Sequence, residues 1–279
     1  DYIRRQRQMC IRDRAWGDRV SDYFSVEHPI RFAHRGSRVL WPENTMYAFT
    51  RAIEDLGYRY LELDVRLTAD RIPVVFHDAT LDRTTDGAGK VADYTVADLQ
   101  SIDAAYHFGP DDDYPLRGTG IGISPLEELY RTWPDVRLNV DLKGPDEEWA
   151  VAEVIRKADA EHRTLVGSFY DRRIARFRRI TQGRVAVSAG PTAATAMWSA
   201  SRAGRTTRRK VQAYQLPFNY RGFKIDEKLI DSVHRAGSHI HLWTVNEADD
   251  MRRFLDMGVD GIVTDRPDIL NEVMGVDND

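Results

Sequence analysis

From residue 30 onward the chain alternates short apolar runs with stretches of helical periodicity, and this alternation limits the fold more than any other feature. Runs bounded by Gly, Pro, Asp or Asn read as strands at 30–33, 60–65, 73–76, 137–142, 164–169, 184–188, 211–216, 239–245 and 261–264. Between most of them apolar residues recur at helical spacing. Ala48, Phe49, Ala52, Ile53 and Leu56 mark 45–56, and 148–160, 171–180, 226–236 and 247–257 carry the same pattern. A helix between two strands brings the chain back across the sheet, so the strands it joins run parallel. Sustained over 279 residues, the alternation predicts an α/β fold, a (β/α)8 TIM-type barrel.

Two irregularities interrupt the pattern. Only seven residues, 66–72, separate the second and third strands, too few for the dozen or so that a helical crossover needs. The barrel is therefore expected to lack a helix there, with Thr68-Ala69-Asp70-Arg71 as an extended return. Nine candidate strands also exceed the eight of a barrel, and 211–216 is taken as the extra one. A small insertion, about 79–123, is expected after strand three, since 86–122 is polar, Gly-rich and poorly periodic.

Composition bounds the rest. With 42% hydrophobic residues, 17–279 can form one barrel domain around one core. A net charge of −4 points to neither a nucleic-acid nor a membrane-surface partner. No run of ~18 apolar residues occurs, so no stable membrane insertion is expected. No signal-peptide core is visible, and a cytoplasmic location is the expectation. Residues 1–16 are arginine-rich, fit no element and contain a QMCIRDR run resembling translated adapter sequence. They are set aside as a non-native or disordered leader, together with Cys10, the single cysteine, which by itself excludes internal disulfides and cysteine-built zinc sites. Oligomeric state is not legible.

In a parallel barrel the loops after the carboxyl ends of the strands form the functional face. Strand one ends in Ala33-His34-Arg35-Gly36, strand two carries Glu62 and Asp64, strand three runs into His77-Asp78, and strand four ends in Asp141-Leu142-Lys143. Glu62 and Asp64, two residues apart on a strand, point to the same side. Two carboxylates facing one interior repel unless a cation or protons intervene. One hard divalent ion with oxygen ligands, Mg²⁺ or Ca²⁺, is the economical answer. His34 and His77 flank that pair and can exchange protons near neutral pH. Arg35 and Lys143 add fixed positive charge, and an arginine can grip phosphate with paired donors. Cations, a carboxylate pair and two imidazoles together describe phosphoryl chemistry.

The segment HRG…PENT…LELDV…PVVFHD..LDRTT, followed by PLEEL, NVDLK, SF, LWTVN and GVDGIVTDRPD, resembles the glycerophosphodiester phosphodiesterase family over about residues 30–270. The resemblance implies hydrolysis of a glycerophosphodiester to sn-glycerol 3-phosphate and an alcohol. It also implies that the neighbouring glycerol hydroxyl attacks first, giving a cyclic phosphate that water then opens. His34 and His77 look like the acid/base pair, with His77 as base and His34 as acid, and Arg35 like the phosphate clamp. Glu62, Asp64 and Glu128 look like the metal ligands, Glu128 because the family's glutamate stands two places after the leucine, here Leu126. Lys143 looks like a second phosphate contact, Trp243 like a wall for the glycerol, and Phe169 like a further pocket residue. Asp141 stands where many members have Glu, and Arg71 replaces a turn glycine.

A lysophospholipase-D-like activity would need an apolar channel beside the metal, and the polar stretch 86–122 offers little for one. A non-catalytic phosphodiester-binding barrel predicts gaps in the catalytic set, which is complete. The basic run 201–210 lacks interleaved aromatics and reads as a solvated loop. His239 and His241 alternate along a strand, so that at most one would face the site, and both are expected to be structural.

Overall fold

The computed structural model describes residues 21–207, 211–219 and 223–276. The leader with Cys10 and the end of the basic run at 208–210 lie outside the described residues. Nine strands form one sheet: β1 (Ile30–His34), β2 (Tyr60–Leu67), β3 (Pro73–Val75), β4 (Arg137–Leu142), β5 (Thr164–Gly167), β6 (Ala186–Val187), β7 (Ala213–Pro217), β8 (His239–Trp243) and β9 (Gly261–Thr264). Eight of them run parallel in the order β6-β5-β4-β2-β1-β9-β8-β7, and a parallel bridge from Ser188 to Ala213 brings the two ends together. The barrel is thus nearly closed.

The expected extra strand was misplaced. The segment assigned as surplus is β7, which pairs in parallel with β8 from Ala213–His239 to Pro217–Trp243. The extra strand is β3, which pairs antiparallel with β2 through Val65–Val75, Arg66–Val74 and Leu67–Pro73. An antiparallel return needs no crossover, which is why no helix intervenes. Thr68 accepts from Arg71 N–H at 3.0 Å and donates its own N–H to Ile72 at 3.1 Å, and Arg71 takes the left-handed conformation (φ 63°) that suits a glycine.

The helices are α1 (Met46–Glu54), α2 (Val96–Gln100), α3 (Leu126–Thr132), α4 (Glu147–Lys157), α5 (Asp171–Ile180), α6 (Pro191–Arg202), α7 (Glu227–Arg235), α8 (Ala248–Asp256) and α9 (Pro267–Met274). Thr45 caps α1 by accepting the Ala48 N–H, and Asp226 caps α7 by accepting the Leu229 N–H. In the excursion after β3, the short α2 packs Leu99 beside Leu81, Val91, Phe76 and Val74 in a small core of its own.

Period-two alternation divides the strands between two environments. Leu61, Leu63 and Val65 of β2 and Leu138, Val140 and Leu142 of β4 point outward into the helical layer. The alternate residues point inward. At the amino ends of the strands these are Phe32, Tyr60, Leu165, Ala186 and Ala213, sealed by Tyr23 and Phe24 from a preceding 3-10 turn. At the carboxyl ends the inward set becomes His34, Glu62, Asp64 and Asp141, placed side by side by the His34–Glu62 and Asp64–Asp141 registers.

His239 and His241 share a face, as residues two apart on a strand must, and both lie on the sealed side against Phe24. His241 is fully buried, and neither ring nitrogen has a hydrogen-bond partner among the described residues. Its ring reaches in over Gly261, where a Cβ would stand 3.0 Å from His241 Cδ2. Burial, with His239 alongside, holds the imidazole neutral and its pKa down to about 3. The unfolded chain would protonate His241 below its ordinary value near 6.5, whereas the fold cannot. Stability from this site is therefore complete above about pH 6.5 and is lost as pH falls from there toward 3. His241→Leu is expected to flatten the acid side of a urea-midpoint-against-pH curve by a few kcal/mol at pH 4, while leaving the midpoint at pH 8 nearly unchanged. Parallel curves for the two proteins would contradict it.

Candidate active site

At the carboxyl end of the barrel a cavity of about 560 Å³ is lined by His34, Arg35, Glu62, Asp64, His77, Asp141 and Lys143 on one side. Each of these residues follows from a strand terminus. His34 ends β1, where Arg35 (φ 54°) and Gly36 (φ 80°) turn the chain sharply. Gly36 is required twice over, since a Cβ there would lie 2.8 Å from that of Ala48. The turn continues into Pro42-Glu43-Asn44-Thr45, whose side chains serve the site and the α1 cap in succession.

Asp64 is the electrostatic centre. It is fully buried and accepts from Asn44 Nδ2 at 2.9 Å, with Arg35 Nε at 2.9 Å and Lys143 Nζ at 2.9 Å. Burial alone would raise its pKa, but Lys143 and Arg35 hold it well below the usual carboxylate range. Lys143 also donates to Asp141 Oδ2 at 2.6 Å. Glu62 is different. Its Oε2 is buried without a hydrogen-bond partner among the described residues, 3.7 Å from His34 Nε2. Burial and the neighbouring Asp64 push its pKa up to about 7. A buried carboxylate oxygen without a partner, beside a second carboxylate on the same strand face, suits a hard cation.

The two histidines are held alike. His34 Nδ1 meets Asp265 Oδ1 at 2.6 Å, and His77 Nδ1 meets Asp78 Oδ1 at 2.6 Å. A carboxylate on Nδ1 fixes the proton there in the neutral ring and leaves Nε2 for chemistry. Their electrostatics diverge. Burial depresses His34, but Glu62 and Asp265 outweigh it, and its pKa stands above the ordinary histidine value. Burial lowers that of His77, opposed by Asp64 but assisted by Arg35. At neutral pH, His34 is the better proton donor and His77 the better acceptor.

Asp265, at the exit of β9, accepts from Arg38 Nε at 3.0 Å and Asn246 Nδ2 at 3.1 Å as well. Its pKa is held down to about 2, burial being overcome by His34 and these donors. Asp265→Asn removes a charge that favours the imidazolium, so the His34 pKa is expected to drop. If His34 acts as a general acid, the descending limb of a pH profile of kcat/KM should then move to lower pH. A descending limb in the same place would show that His34 does not produce it.

Not every expected residue arrives. Trp243 lines the cavity, and Phe169 lines it from the rim, 55% exposed, its ring edge-on to Trp243 with centroids 5.6 Å apart. Phe169 is therefore no core residue, and Lys143 Nζ lies 5.3 Å from its ring centroid. Glu128 is a correction. It sits in the first turn of α3, half-buried, and does not line the cavity, because Leu126, Leu129 and Tyr130 turn the opposite face of that helix into the core. Among the described residues, no three His, Cys, Asp or Glu side chains come close enough to share one ion. The sequence reasoning also missed Glu43, Asn44, Asp78 and Asp265. Asp265 directly follows a barrel strand, and the strand-end rule applied to β9 would have found it.

The remaining wall, toward β6, β7 and α6, is mainly apolar, with Ala189, Ala194, Leu216, Pro217 and Phe223, interrupted by Ser188, Thr195 and Gln215.

A family model described as the glycerophosphoryl diester phosphodiesterase family matches residues 34–269. A Mycobacterium tuberculosis protein named probable glycerophosphodiester phosphodiesterase 2 is 36% identical, over 88% of this chain and 90% of the relative. A glycerophosphodiester phosphodiesterase of Caldanaerobacter subterraneus subsp. tengcongensis is 32% identical, over 85% of this chain and 94% of its own. Among solved structures, an Oleispira antarctica phosphodiesterase in complex with the product sn-glycerol-3-phosphate superposes with a TM-score of 0.72 at 24% identity, covering 89% of this chain and 97% of that one. At that identity it supports the barrel fold alone.

Proposed function

The chain belongs to the glycerophosphoryl diester phosphodiesterase family, and from that premise we propose that it hydrolyses glycerophosphodiesters to sn-glycerol 3-phosphate and an alcohol with the help of one divalent cation, Mg²⁺ or Ca²⁺. The observation that carries this reading is the pair of His–Asp dyads, His34–Asp265 and His77–Asp78, opening into one cavity with Arg35 and Lys143. Glu62 and Asp64 would hold the ion, which supplies positive charge to the phosphodiester oxygens. Glu128, outside the cavity, takes no part in this reading.

Arg35 lines the cavity and is held through Nε by Asp64 and through Nη1 by Glu43, which restrains it where the phosphoryl group would bind. Lys143, held by Asp64 and Asp141, supports the same phosphoryl group. His77 Nε2 takes the proton of the attacking hydroxyl, the adjacent glycerol hydroxyl, and His34 Nε2 protonates the departing alcohol. In the second half the roles reverse as water opens the cyclic phosphate. Trp243 and Phe169 form the wall on which the glycerol rests.

The test is turnover of glycerophosphocholine, followed as release of glycerol 3-phosphate, with Mg²⁺ or Ca²⁺ and then with excess chelator. Activity should disappear on chelation and return with the ion. No turnover of any glycerophosphodiester with either ion would end this reading.

The apolar wall favours a second reading, a lysophospholipase-D-like action on diesters bearing one hydrocarbon chain. The sequence sought such a surface in the insertion, but Ala189, Ala194 and Leu216 supply it from the opposite side of the barrel. Lysophosphatidylcholine assayed beside glycerophosphocholine separates the two. A higher kcat/KM for the deacylated diester supports the first reading, and the reverse order supports the second.

A further inference from the structure

Arg83 lies in the excursion after β3, outside the cavity lining, and the mechanism above gives it no role. Its guanidinium nevertheless spans two carboxylates. Nε donates to Asp78 Oδ2, while Nη1 and Nη2 donate to Glu43 Oε2 and Oε1 at 2.9 and 2.7 Å. Both carboxylates hold residues of the site. Asp78 Oδ1 fixes His77 Nδ1 at 2.6 Å, and Glu43 Oε1 accepts from Arg35 Nη1 at 2.9 Å. One unbroken line of charge-assisted contacts therefore runs His77, Asp78, Arg83, Glu43, Arg35.

This line is not explained as a stability device. The Arg83 side chain is 48% exposed, and the two carboxylates keep Arg35 and His77 as partners without it, so its own contribution to folding is modest. Geometry explains it better. A guanidinium is a rigid planar fork whose donors keep fixed directions, so two carboxylates bound to different edges are held at one separation. His77 and Arg35 come from different segments, one after the antiparallel β3 and one after the barrel strand β1. Among the described residues, no hydrogen bond or ion pair joins them directly.

We propose that Arg83 is a positioning residue that locks the His77 imidazole and the Arg35 guanidinium at a set spacing across the phosphodiester. This rests on the reading that both act on substrate. The insertion then has a mechanistic task, because it delivers the clasp between an element of the barrel and an element outside it. A lysine cannot replace the clasp fully, since an ammonium lacks the fork that meets both Glu43 oxygens.

The experiment is steady-state kinetics on glycerophosphocholine for Arg83→Met and Arg83→Lys, and for Arg83→Met combined with Glu43→Gln and Asp78→Asn. Arg83→Met should lower kcat roughly 10- to 100-fold and raise KM a few fold, with a melting temperature within a few degrees of wild type. Arg83→Lys should recover part of kcat. In the background lacking both carboxylates, Arg83→Met should cost less than about twofold, because the charged partners that fix the fork are gone. Wild-type kcat and KM in Arg83→Met overturn the proposal, and so does a full loss in the carboxylate-free background. Should Arg83→Met not fold, Arg83→Gln serves for the same comparison. His77→Ala separates the levels. An inactive His77→Ala beside a wild-type Arg83→Met removes this inference alone, whereas an active His77→Ala removes the reading beneath it.

Discussion

Alanine at His77 or at His34 is expected to lower kcat by about 10²- to 10⁴-fold, the usual range for losing a positioned general acid or base. The two losses should differ in character. The reading proposed above makes His77 the base and His34 the acid, in line with the downward and upward displacement of their pKa values. A leaving alcohol that is already a good anion needs no proton. Glycerophospho-p-nitrophenol should therefore restore much of the activity of His34→Ala and little of that of His77→Ala. The reverse pattern would exchange the roles, and near-wild-type turnover of both variants on glycerophosphocholine would remove acid/base catalysis by these residues.

Asp64→Ala should combine the largest loss of stability with loss of function. The carboxylate is fully buried and neutralises Arg35 and Lys143, themselves largely buried. Removing it leaves Arg35 with Glu43 and Lys143 with Asp141 but takes a shared negative charge from a low-dielectric pocket, and breaking buried pairs in this way typically costs about 3–5 kcal/mol. Asp64→Asn keeps a group beside Asn44 but not the charge, so it should destabilise too, though less. Lys143, freed of one partner, should have its pKa moved down from the raised position that Asp141 and Asp64 give it against burial. Urea unfolding at pH 7 measures the first effect. A midpoint shift of Asp64→Ala corresponding to under 1 kcal/mol would mean that water or Asp141 replaces the lost carboxylate.

Much of this was legible in the sequence because barrel strands obey two simple rules, alternation of faces and chemistry at carboxyl ends. Those rules placed Glu62, Asp64, His34 and Lys143 in one cavity without coordinates. They failed where the chain leaves the barrel. β3 resembles any other short apolar run, and only pairing direction reveals that it lies outside the closed order, so the surplus strand was assigned to β7 instead. Glu128 failed for a related reason, since a position counted from Leu126 carries no information about which way the face of a short helix points. Asp78, Asp265 and Glu43 were passed over because partners of catalytic groups have no spacing signature of their own. Their value appears only when hydrogen bonds can be followed. The two-residue spacing of His239 and His241 was visible from the start, and the same alternation that grouped Glu62 with Asp64 required these two to share a face.

Housing His77 just beyond β3 has a consequence for how such a catalyst can change. One imidazole belongs to the scaffold and cannot shift without disturbing the parallel ring, whereas the other rides on a hairpin and the surface excursion that follows it. Exchange of that appendage between relatives could alter reach, timing or selectivity while the frame stays intact. The design resembles a fixed anvil with a replaceable hammer.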